Sequence, residues 1–111
     1  MDVELLFKDY YNRWLNDLKD LLRIPSVLDK YDKKNKEAPF GKDIRASLDF
    51  MLELAKRDGF KAYNVDNYAG YIEWGEGEEV VVVLCHLDVV PATGLWTNPP
   101  FFISLNSRFC Q

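Results

Sequence analysis

Apolar residues at Val3, Phe7, Tyr10, Trp14, Leu18 and Leu21 recur three or four apart, with Lys8, Asn12, Asn16 and Lys19 between them. This period predicts an amphipathic helix. Pro25 has no amide hydrogen and disfavours a helical Ile24, so the helix is expected to end near Arg23. From Asp29 to Glu37 the chain reads "DKYDKKNKE", both charge signs without an apolar period, which predicts a solvated loop. A second helix is expected from about Asp43 to Arg57, where Ile44, Leu48, Met51, Leu52 and Ala55 share a face and Gly59 supplies a left-handed stop.

The period then changes from helical to alternating. "FKAYNVD" and "AGYIEW" are short, rich in aromatic and β-branched residues, and separated by the turn-forming Asp66 and Asn67. They predict two strands. "GEGEE" at residues 75–79 contains two glycines, but no helix follows and three glutamates would repel phosphate, so a turn suffices. Beyond it, Val80, Val82 and Leu84 alternate with Val81, Val83 and Cys85. Both faces of that run are apolar, which predicts a central strand covered from both sides. Two helices followed by strands imply a layered α/β domain.

Composition adds bounds. A chain of 111 residues is one domain's worth or part of a larger domain, domains usually taking roughly 100–200 residues. Its 48% hydrophobic and 29% charged content belongs to globular proteins. The net charge of −4, with no basic block interleaved with aromatics, argues against a nucleic-acid partner. The acidic start lacks an apolar signal segment, and no apolar run approaches the roughly 20 residues of a membrane span. Two cysteines, Cys85 and Cys110, form neither a disulfide framework nor a paired zinc spacing. A cytoplasmic protein with reduced thiols is expected.

The chemistry concentrates where the apolar run ends. In strand geometry His86 and Asp88 continue the face of Val80, Val82 and Leu84, while Cys85 and Leu87 point the other way. Cys85 therefore cannot pair with His86 as nucleophile and base, and is expected to be a small buried hydrophobe. In open α/β sheets, ligand crevices lie beyond the carboxyl ends of strands. A metal-bound imidazole commonly gives its other ring N–H to a carboxylate or carbonyl. From periodicity alone the plainer reading stands first, a satisfied structural histidine with Asp88 capping the turn at "VVPATG". "GLWTNPPF" (residues 94–101) follows an irregular path set by its prolines, suited to lining a cleft or to core packing.

Taken together, "VVVVLCHLDVVPATGLWTNPPF", "LLRIPSV", "APFGKDIRASLDFMLELAKRDGF" and "YAGYIEWGEGEE" resemble the co-catalytic zinc peptidases that include aminoacylase and carboxypeptidase G-type enzymes. The resemblance is nearest to their bacterial PepV-like dipeptidase branch and covers residues 1–101, implying the N-terminal part of a layered αβα catalytic domain. It implies that His86 is a zinc ligand and that Asp88 orients it and supports catalysis. It further implies two zinc ions, a Glu general base, and hydrolysis of dipeptides by a metal-activated water. A deacylase or carboxypeptidase of the same superfamily, or a non-catalytic α/β interaction module, are the alternatives. After "PPF" the family pattern is lost, and the tail over 102–111 is expected to reflect a frameshift or premature end. With no second histidine in the sequence, the chain alone is expected to be inactive.

Overall fold

The computed structural model of the chain describes residues 1–103. The element order is α1 (Val3–Leu22), α2 (Lys42–Arg57), β1 (Lys61–Val65) and β2 (Ala69–Glu73). Two helices followed by two antiparallel strands make a mixed α/β arrangement, as the change of period predicts. The described residues fall into two units, one of Met1–Ile24 with residues 92–103, the other Pro25–Pro91. Cys110 and all but the first two residues of the tail expected over 102–111 lie outside the described residues.

In the first unit, the Asp2 carboxylate caps α1 by accepting the Leu5 N–H at 3.2 Å, with Glu4 in the first turn and Lys19 in the last. Acid at the start and base at the end both complement the helix dipole. Arg23 follows as the C-cap, two residues before Pro25. No residue of α1 is buried, although its apolar stripe is ordered along the helix, with Tyr10 stacked on Trp14 at 5.7 Å. Among the described residues no helix is long and apolar enough to cross a membrane.

The second unit is built on α2 and the β1–β2 hairpin. Leu48, Leu52 and Ala55 are buried on the face of α2 that meets both strands, and Pro39 is fully buried just before the helix. Gly70 on β2 explains the close approach: a Cβ there would lie 2.9 Å from Leu48 Cδ1 and 3.0 Å from Leu52 Cδ2. The hairpin pairs Tyr63 with Tyr71, whose rings stack at 4.7 Å, and Val65 with Ala69. Asp66 and Asn67 carry the turn at φ 52° and 63°, and Tyr68 N–H closes it onto the Val65 carbonyl at 2.9 Å. Asn and Asp tolerate this left-handed region better than other non-glycine residues.

The loop between the helices is more organised than a solvated linker. Asp32 N–H donates to Pro39 O at 2.9 Å, and Tyr31, Phe40 and Tyr68 form an aromatic trio with centroids 5.4 to 6.3 Å apart. Asn67 Nδ2 ties the hairpin turn to this loop through the Lys36 carbonyl at 2.8 Å.

Two linked expectations are corrected. Residues 80–85 form no strand, and Val80 through Leu84 are 78–94% exposed. The sheet is the two-stranded hairpin, and among the described residues none pairs with this run. Alternation records only what a strand would bury; a strand also needs a neighbouring backbone to satisfy its N–H and C=O groups. Cys85, expected to be buried, is exposed for the same reason.

Candidate functional site

The segment after the apolar run is held by the turn that follows α1. Pro25 stops the helix, and Val27 N–H closes a three-residue turn onto the Pro25 carbonyl at 2.7 Å, with Ser26 at its centre. Ser26 is 4% exposed, and its hydroxyl donates to the Leu87 carbonyl at 2.7 Å. Its own carbonyl accepts the Val89 N–H at 3.0 Å, and Val27 forms an isolated parallel bridge with Val89. Leu87 is half-buried, while His86 and Asp88 on either side are exposed.

His86 and Asp88 do meet. His86 Nδ1 lies 2.9 Å from the Asp88 backbone oxygen and 3.3 Å from Asp88 Oδ1, with side chains 82% and 58% exposed. The contact closes within three residues and has no ladder beneath it, so it is a local arrangement rather than the strand face expected from alternation. A backbone carbonyl and an ionised carboxylate both only accept hydrogen bonds. A neutral ring in this geometry therefore carries its proton on Nδ1 and leaves the Nε2 lone pair free. An oriented, exposed Nε2 can bind a metal ion or take up a proton.

For zinc, the donors present fit one ligand position. Catalytic zinc usually takes three protein ligands, and among the described residues no three His, Cys, Asp or Glu side chains gather. Trp96, in "GLWTNPPF", donates its indole N–H to the Thr93 carbonyl at 3.1 Å within the other unit. Ser26 lies in "LLRIPSV", but periodicity and motif spacing give it no part in the site. Its partner is 61 positions away, and no local pattern announces a contact of that range.

No protein-family model matches the chain. It is 48% identical over 93 residues to a Staphylococcus epidermidis protein named "Putative dipeptidase", a match covering 84% of this chain and 20% of that protein. Bacillus subtilis "Putative dipeptidase YtjP" is 46% identical over 87 residues, covering 78% of this chain and 19% of that protein. A Staphylococcus haemolyticus relative of the same description is 48% identical over 94 residues, 85% of this chain and 20% of the relative. The chain thus spans about a fifth of the length of the curated relatives it matches. Over that stretch its sequence is dipeptidase-like.

Proposed function

We propose that this chain carries the His-x-Asp segment of a zinc-dependent dipeptidase of the aminoacylase and carboxypeptidase G-type family. His86 supplies one zinc ligand through Nε2, and Asp88 orients the ring. The parent reaction is hydrolysis of the peptide bond of a dipeptide. The observation that carries this reading is the 2.9 Å approach of His86 Nδ1 to the Asp88 carbonyl, which leaves Nε2 outward. The names of the relatives support the substrate class.

The chain's own residues orient an imidazole, hold its proton at Nδ1 and present its other nitrogen. With one ligand position placed, no hydrolytic step is assigned to them, and the 111 residues alone are expected to leave dipeptides intact. A cytoplasmic setting is part of the same proposal.

A chimera tests the proposal. The matched stretch of the Staphylococcus epidermidis relative is replaced by residues 1–101 of this chain, and zinc-supported dipeptide hydrolysis is assayed. The expected result is turnover that falls at least a hundredfold in His86→Ala, as loss of a metal ligand predicts. An inactive chimera beside an active parent relative would defeat the reading.

A further inference from the structure

We propose that Ser26 is a positioning residue for the His86–Asp88 pair; this rests on the metal-facing role just proposed for His86. The two hydrogen bonds of Ser26 fall on the two peptide groups that flank Asp88. Its hydroxyl holds the Leu87 carbonyl, which belongs to the peptide preceding Asp88, at 2.7 Å. Its carbonyl holds the Val89 N–H, which belongs to the peptide following Asp88, at 3.0 Å.

A trans peptide is planar, with its C=O and N–H directed to opposite sides. The peptide following Asp88 contains both the Val89 N–H and the Asp88 carbonyl. Fixing the N–H on Ser26 directs the carbonyl away from Ser26, toward His86 Nδ1 at 2.9 Å. The hydroxyl fixes the preceding peptide, so both backbone dihedrals of Asp88 are set from one residue. Ser26 thereby determines which ring nitrogen of His86 holds the proton and which is left to bind. Burial protects the arrangement: Ser26 is 4% exposed, and no buried side-chain polar atom among the described residues lacks a partner.

The chain contains one histidine, so its imidazole nitrogens give one pair of ¹⁵N resonances in the full chain. With the ring neutral, the unsubstituted chain is expected to show a protonated Nδ1 and a bare Nε2. Ser26→Ala keeps the backbone bond to Val89 but releases the peptide preceding Asp88, and is expected to narrow the separation of the two resonances by more than half, as the tautomers mix. Ser26→Thr keeps a hydroxyl and should restore the original pair. An unchanged ring in Ser26→Ala, or equal shifts in the alanine and threonine variants, would overturn the positioning role. So would loss of the α2–hairpin amide pattern in Ser26→Ala, since Ser26 would then act on folding. A proton on Nε2 in the unsubstituted chain would instead defeat the metal-facing reading of His86 itself.

Discussion

Tyr31 shows how one contact gives a residue a pH response. Its hydroxyl lies 3.1 Å from the Tyr68 hydroxyl, and this hydrogen bond, with desolvation second, raises the Tyr31 phenol above its ordinary value of 10.0. The folded state thus keeps the proton where the unfolded state releases it. Linkage makes this contribution fully present below the ordinary value and lost as pH rises through the raised one. Urea midpoints followed from about pH 8 to 11 should fall more steeply in the unsubstituted chain than in Tyr31→Phe. The same scale contains the main limit on reading the site from residues alone. His86 and Asp88 are legible because they lie two positions apart, whereas Ser26 acts through a carbonyl 61 residues away.

At the scale of elements, α2 and the hairpin are joined by an absence. Gly70 leaves room for the Leu48 and Leu52 side chains, 8% and 6% exposed, beneath the second strand. Gly70→Ala would push a methyl group within 3.0 Å of both leucines. It is expected to destabilise this unit by about 1–3 kcal/mol, the usual cost of overpacking, as a lower urea midpoint with the hairpin register retained. Both helices and both strands were legible because their signals are short-range: a three-to-four residue period, a capping Asp2, a stop at Pro25 and a turn at Asp66 and Asn67. The run from Val80 to Cys85 departs from its pattern because the signal is equally local while the strand it implies is not. Apolar side chains on both faces say what such a strand would bury, but only a partner backbone can make it one.

At the scale of the whole molecule, exposed apolar surface is the dominant fact. The stretch from Val80 to Leu84 combines high β-propensity, no charge and 78–94% exposure, the signature of a segment that seeks strand partners between chains. Val82→Lys should lower the rate of thioflavin-positive aggregation of the purified chain. Its circular dichroism should not change, because Val82 is exposed and outside every helix and strand.

The bonds of Ser26 and Val27 to Leu87 and Val89 also have a kinetic meaning. They join positions near the two ends of the Pro25–Pro91 unit, so forming them closes a loop of some 60 residues. Contacts of such long sequence separation carry the loop-closure entropy and are expected late, after the helix and hairpin exist. The Val89 amide, hydrogen-bonded to Ser26, then serves as a clock hand for the unit: in hydrogen exchange its protection marks the moment when folding is complete.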